Sequence, residues 1–258
     1  MNNILIKVEN LVKTFGGLVA LNNCSLEIKD KAITGIIGPN GSGKTTLFNV
    51  ITGNLKPDTG KVFYNGVEIT NEESHDLFHL GVLRTFQIAH EFSNMTVIEN
   101  LMVVPGNQKG ERLLYSLMNS QKIKKEDELI KDKAMEVLKF LKIEHLKNER
   151  AGNLSGGQKK LLELARTMMV DAKIVFLDEV GAGVNKTLLR DISDSILKLN
   201  QDKGYTFCMI EHDFNFINEL CDPVIVLAEG SVLFKGSAEE VKSNEQVIES
   251  YLGKGLKK

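Results

Sequence analysis

The stretch Gly38-Pro39-Asn40-Gly41-Ser42-Gly43-Lys44-Thr45-Thr46 constrains this chain more than any other. Before it runs Ala32 to Ile37, an apolar series of the kind that forms a strand buried on both faces of a parallel sheet. After it comes Leu47 to Ile51, which carries a helical pattern. Gly38, Gly43, Lys44 and Thr45 satisfy the pattern G-x-x-x-x-G-K-[ST], and strand, glycine loop, helix is the order that gives the pattern meaning. A glycine-rich turn matched by chance would lack that order. Glycines let successive backbone N–H groups curl towards phosphate oxygens, and the following helix adds the positive end of its dipole. Lys44 then reaches the terminal phosphates as a point charge, and the Thr45 hydroxyl is placed to ligate magnesium. Asn40, Gly41, Ser42 and Thr46 complete the expected nucleotide-binding loop. This is a nucleotide site.

Phosphoryl transfer to water needs a metal and an oriented nucleophile. A second buried strand, Ile174 to Leu177, ends in Asp178-Glu179. Successive residues at a strand end point in different directions, so one carboxylate serves the metal and the other the attacking water. Asp178 is expected to hold magnesium through water, which that ion gives up reluctantly. An acidic pair alone would read as a turn cap; beside a phosphate loop it reads as catalytic.

The remaining pattern is that of an α/β core interrupted by a helical insertion. Ile4 to Val8 and Leu26 to Ile28 read as strands, and residues 58–70 as a hairpin with Gly60 and Gly66 as turn residues. A long amphipathic helix is expected from about Glu126 to Leu146, and a flexible connection around Pro105 to Gly110. Two more buried strands, Tyr205 to Ile210 and Val224 to Leu227, follow, the first leading into Glu211-His212.

Composition excludes several classes of function. The formal net charge is -2, so the basic excess of a dedicated nucleic-acid binder is missing and no nucleic-acid partner is expected. The three cysteines, Cys24, Cys208 and Cys221, lack metal-ligand spacing and read as buried thiols of a reducing compartment. The first residues are too soon interrupted to be a signal peptide, and no apolar run approaches the ~20 residues that span a bilayer. Work at a membrane would go through a partner.

Leu154-Ser155-Gly156-Gly157-Gln158 distinguishes this chain among phosphate-loop ATPases. A Ser beside two glycines opens a helix, which makes a second anion cradle of bare N–H groups and a hydroxyl. One ATP does not need two cradles in one subunit, and the economical reading is that the second caps the γ-phosphate held by a neighbouring copy.

With that motif, the chain resembles the ATP-binding subunits of ABC transporters over essentially its full length. The resemblance implies a P-loop NTPase (RecA-like) α/β core with an antiparallel β subdomain over 1–87 and 159–258, and a helical subdomain over 88–158. It implies ATP and Mg2+ as ligands. It assigns Phe15 to stacking on adenine, Gln87 to the γ-phosphate and the metal, Asn185 to the dimer-crossing loop, and His212 to the γ-phosphate switch. Ser155, Gly156, Gly157 and Gln158 become the signature, and Glu179, His212 and Gln87 the catalytic set. It also implies integral membrane permease subunits as partners, a second copy or a related ATPase subunit, and, indirectly, an extracytoplasmic solute-binding protein. The location implied is peripheral, on the cytoplasmic face of the cell membrane.

Finer wording, in Gly81 to Gln87, Met95 to Leu101 and Gly183-Val184-Asn185, resembles the ATPase subunits of branched-chain amino acid importers (Liv-type). Urea-importer and lipopolysaccharide-exporter ATPases are similar, and a non-transport ABC ATPase is the other alternative. One cassette without a long heptad run tells against translation and DNA-repair members. The chain departs from the family's pattern at Val180, where proline usually follows the glutamate.

Overall fold

The computed structural model describes residues 3–85, 91–106, 108 and 120–252. Its central element is strand β3 (Ile33–Ile37), buried at every position, which delivers the chain to the glycine loop. Three further fully or largely buried strands share its sheet: β7 (Ile174–Asp178), β8 (Thr206–Ile210) and β9 (Val224–Ala228). With β6 (Val82–Arg84) and β10 (Ser231–Gly236) they form a sheet in the order β10-β9-β3-β8-β7-β6. All its pairings are parallel except that of β9 with β10, which the turn at Glu229-Gly230 makes antiparallel. Continuous apolar runs suit strands covered on both faces, whereas β10, at the edge, is only half-buried.

A second, antiparallel sheet has the order β2-β1-β4-β5, from β1 (Ile4–Phe15), β2 (Leu18–Lys29), β4 (Thr59–Tyr64) and β5 (Val67–Glu68). Its first two strands are much longer than the short apolar stretches that announced them. They are bulged, with register shifts around Leu11 and a positive φ of 51° at Asn10. Those bulges break the strict alternation by which a strand is recognised. They also correct the reading of Gly60, which is not a turn residue but lies within β4. There it takes φ 94°, and an added Cβ would sit 2.5 Å from the Asn10 carbonyl oxygen across the sheet. The turn itself is Asn65-Gly66, both with positive φ.

Helix α1 (Lys44–Ile51) buries Leu47, Phe48, Val50 and Ile51. Phe48 is fully buried and meets Phe176 of β7 edge-to-face, with ring centroids 5.0 Å apart. Each such side chain stabilises the fold by roughly 1.5–3 kcal/mol through burial, which fixes the helix start relative to the end of β7. The thiols of Cys24, Cys208 and Cys221 are all buried, as the sequence indicates, and burial raises that of Cys24 to about 11.

The chain divides into two compact units, one of Met1–Gln87, Lys173–Gly181 and Ile196–Lys258, the other of Ile88–Ala172 and Ala182–Ser195. Helix α2 (Ser74–His79) belongs to the first with both sheets and α1. The second unit contains α3 (Val97–Met102), α4 (Ser120–Phe140), α5 (Gly156–Met168) and the start of α6 (Lys186–Lys203). In it α3, opened by a capping box between Thr96 and Glu99, packs on α4 and α5. The expected long helix starts earlier and ends at Phe140, because Lys142 takes φ 59° and the chain continues as a 3-10 turn at Glu144–Leu146. The stretch Pro105 to Gly110 lies largely outside the described residues. In the first unit the chain closes with α7 (Phe214–Leu220), α8 (Ala238–Ser243) and α9 (Glu245–Leu252). The expected α/β core, antiparallel sheet and helical part are therefore all present. The division groups all of α5 with the helical unit, whereas a boundary after Gln158 cuts that helix near its start.

Candidate functional site

A cavity of about 260 Å³ opens over the glycine loop in the first unit. Phe15, Leu18 and Ala20 line it from the antiparallel sheet, Asn40 to Thr46 from the loop, and Glu179 and His212 from the ends of β7 and β8. The loop is held by its own backbone. Gly43, the residue before α1, takes φ 97°, and a Cβ there would lie 2.4 Å from the Ala20 carbonyl oxygen. Side chains rarely adopt that φ, and the backbone of Ala20 cannot move aside, so only glycine fits. The Ser42 hydroxyl is buried without a hydrogen-bond partner, an unsatisfied polar group inside the loop that an anion would satisfy.

Lys44 is 7 % exposed, and its Nζ donates to the carbonyl oxygens of Gly38 at 2.7 Å and Pro39 at 3.0 Å. Burial lowers its pKa, while the nearby Glu179 and Asp178 carboxylates oppose that shift. The Lys44 side chain is thus poorly hydrated and held among weak carbonyl acceptors, a setting in which an arriving phosphate gains most from it.

Asp178 and Glu179 diverge, as two residues leaving a strand are expected to do. Asp178 is buried, and its Oδ2 accepts from Arg84 Nη2 at 2.7 Å. Arg84 also donates to Asn49 on α1 and lies over the Phe48 ring, with 5.8 Å to its centroid. It therefore ties the phosphate-loop helix to the end of β7. Glu179 leaves the strand in a left-handed conformation, φ 50°, its N–H donating to the Ile210 carbonyl oxygen at 3.0 Å. Its Oε1 lies 2.9 Å from His212 Nε2, facing the cavity that the loop also lines. Phe15 is half-exposed with an accessible ring, suited to stacking on a planar ligand.

The structure thus brings Phe15, the loop residues, Glu179 and His212 to one cavity, with Gly38 accepting from Lys44 and Asp178 directly preceding Glu179 in the chain. Thr45, at the cavity, and Asp178 are hard oxygen donors. Among the described residues no three His, Cys, Asp or Glu side chains form a metal cage. That donor set fits magnesium, which relies on water and phosphate oxygens rather than on a dedicated protein cage.

Ser155, Gly156, Gly157, Gln158 and Asn185 belong to the second unit. Ser155 caps α5 in a capping box: its hydroxyl accepts from the Gln158 N–H, and its own N–H donates to Gln158 Oε1 at 2.9 Å. The first N–H groups of that helix, at Gly156 and Gly157, have no intrahelical acceptor. Asn185 Oδ1 accepts from the Leu188 N–H at 3.0 Å, which caps α6. Gln87 lies outside the described residues.

Sequence reasoning missed Arg84, whose partners are distant in sequence, and Leu18, an exposed apolar residue that reads as ordinary surface. No local pattern marks either. It also gave Glu211 no role.

A phosphate-cradling loop between a parallel strand and a helix, with a carboxylate pair at the end of β7 in the same sheet, defines a nucleotide-binding phosphate-loop protein. Residues 21–182 match the family model of the ABC transporter, and residues 231–257 that of the branched-chain amino acid ATP-binding cassette transporter. The chain is 43 % identical over 249 residues to the probable branched-chain amino acid transport ATP-binding protein LivG of Archaeoglobus fulgidus, covering 96 % of this chain and 95 % of that one. It is equally 43 % identical, over 253 residues, to the probable LivG of Methanocaldococcus jannaschii, covering 96 % and 97 %. A crystal structure of the ADP conformation of an ABC-transporter ATP-binding cassette superposes with a TM-score of 0.83 at 41 % identity, covering 97 % of this chain and 99 % of that one. The chain belongs to the ABC transporter ATP-binding family, whose members bind ATP and couple its hydrolysis to transport. Among the described residues no helix is long and apolar enough to cross a membrane.

Proposed function

We propose that this chain hydrolyses ATP in the cavity over the glycine loop and so powers import of branched-chain amino acids through a membrane permease. The observation that carries the chemistry is the convergence of Phe15, the loop, Glu179 and His212 on one cavity. The adenine stacks on Phe15, and the phosphates lie along the N–H groups from Gly38 to Thr46. Lys44 exchanges its carbonyl partners for the terminal phosphates, a stronger, charge-assisted set of contacts. Thr45, Asp178 and Gln87 would hold Mg2+, which supplies charge neutralisation at the phosphates when bound. Glu179 accepts a hydrogen bond from the attacking water. His212, already against Glu179 Oε1, turns to the γ-phosphate and reports its loss. Gln87 is assigned the same report on the permease side.

The second cradle, Ser155 to Gln158, caps the γ-phosphate bound by a second copy or a related ATPase subunit. Two nucleotides then hold two subunits together, and hydrolysis releases them. That opening and closing is delivered to permease subunits at the cytoplasmic face of the membrane. The match of residues 231–257 and the names of the relatives support amino-acid import; a solute-binding protein outside the membrane would then act as donor.

The test is purification of the tagged chain from native membranes in mild detergent, followed by identification of its companions by mass spectrometry. Permease subunits are expected, and the recovered complex in vesicles should move leucine, isoleucine or valine. Movement of urea or lipopolysaccharide instead would overturn the cargo. Ribosomal or DNA-repair proteins without a permease would overturn transport itself.

Val180, in place of the usual proline, is buried between Glu179 and Gly181. Proline would fix φ and stiffen the turn, whereas here Gly181 is already tied to Glu211 by a 2.8 Å hydrogen bond. Val180→Pro is therefore expected to leave steady-state hydrolysis within several-fold of the parent. A larger change in a phosphate-release assay would mean that stiffness of this turn limits turnover.

A further inference from the structure

Glu211 is a buried acid with no part in the reaction just described. It follows β8 directly, is 5 % exposed, and its Oε1 accepts the Gly181 N–H at 2.8 Å. The His212 backbone N–H is its second donor. Burial pushes its carboxyl above the ordinary glutamate value and Glu179 adds to that, while the two N–H groups and His212 oppose it. A buried carboxyl is costly to keep in a core position, and its contacts show what it holds.

Three hydrogen bonds join the turn after β7 to the turn after β8. They are Glu179 N–H to Ile210 O at 3.0 Å, Gly181 N–H to Glu211 Oε1, and the Glu179–His212 side-chain contact at 2.9 Å. Between the first two sits Glu179 with φ 50°, a conformation that a glutamate keeps only where its surroundings over-determine it. The Ile210 carbonyl fixes one end of this strained residue. The Glu211 side chain fixes the Gly181 N–H at the other.

We propose that Glu211 is a positioning residue for hydrolysis, a clamp on the Gly181 N–H that holds Glu179 in its left-handed backbone with its carboxylate against His212. The inference rests on the reading of Glu179 as the group that orients water. The clamp acts on the chemical step and leaves nucleotide binding alone, since the loop from Gly38 to Thr46 is built independently of it.

The test compares Glu211→Leu, Glu211→Asp and Glu211→Gln in the full chain, with Glu179→Gln as control. Leucine removes the acceptor of the half-buried Gly181 N–H. Aspartate keeps a carboxylate but draws it back by one methylene. Glutamine keeps an acceptor oxygen at the same reach. Leucine and aspartate are expected to lower kcat about tenfold or more, with ATP affinity within about twofold, and glutamine to restore most of kcat. Full activity in the leucine or aspartate variant, or ATP affinity falling in step with kcat, would overturn the clamp. So would a glutamine variant as inactive as leucine. The control separates two failures: an inactive Glu179→Gln beside an active Glu211→Leu removes only the clamp. A Glu179→Gln variant that still hydrolyses ATP removes the reading of Glu179 as the group that orients water, and the clamp with it.

Discussion

Glu179→Gln is expected to lower ATP hydrolysis at least about a hundredfold while ATP binding and pairing of subunits persist. The substitution preserves volume and leaves the backbone contacts alone, since the Glu179 N–H bonds the Ile210 carbonyl whatever the side chain is. It removes only the carboxylate that accepts the water's hydrogen bond. Against His212 Nε2, now 2.9 Å from Oε1, the amide still offers a partner, so the switch loop stays in place. A bound nucleotide then remains intact between two subunits. Phosphate release measures the first effect, and light scattering with ATP and Mg2+ the second. A monomer under saturating ATP, or undiminished hydrolysis, would contradict the assignment.

Lys44→Ala is expected to act one step earlier, weakening ATP binding itself by about tenfold to a hundredfold. In the parent the buried Lys44 ammonium lines the cavity, and the Glu179 and Asp178 carboxylates favour its charge. Alanine would leave the Glu179 carboxylate facing the phosphates without that ammonium and would strip the Gly38 and Pro39 carbonyls of their donor. Because the loop is shaped by its glycines and by α1, the fold should survive. Calorimetric titration with ATP, beside a thermal melt, checks both halves. Unchanged ATP affinity would mean that the cavity over the loop is not where the phosphates bind.

These two residues were legible because their chemistry is local. Gly38 to Thr46 is a continuous backbone motif whose strand and helix lie directly beside it, and Asp178-Glu179 closes a run of buried residues. What the sequence hid is pairing across long separations and backbone shape. Arg84 meets Asn49 and Asp178 because β6 lies beside β7 and α1 packs on that sheet, an arrangement no spacing reveals. The left-handed backbone at Glu179 has no sequence signal at all, since that conformation is announced only by glycine or asparagine. Gly60 shows the converse: a glycine that reads as a turn serves a bulge, because Asn10 comes close across the sheet. Helix α4 misled at its end, where Lys142 departs from helical φ although lysine itself favours a helix.

The central claim is that one subunit's phosphate loop works with another's Ser155 cradle. It is tested by mixing two variants, Lys44→Ala and Ser155→Arg, at an ATP concentration at which neither alone hydrolyses ATP. In a mixed pair, one site carries both defects and the other carries none, so about a quarter of the sites are intact if pairing is random. The account predicts that the mixture hydrolyses ATP although neither variant does so alone. A mixture as inactive as its components would place both motifs at the same subunit's nucleotide and contradict the shared site.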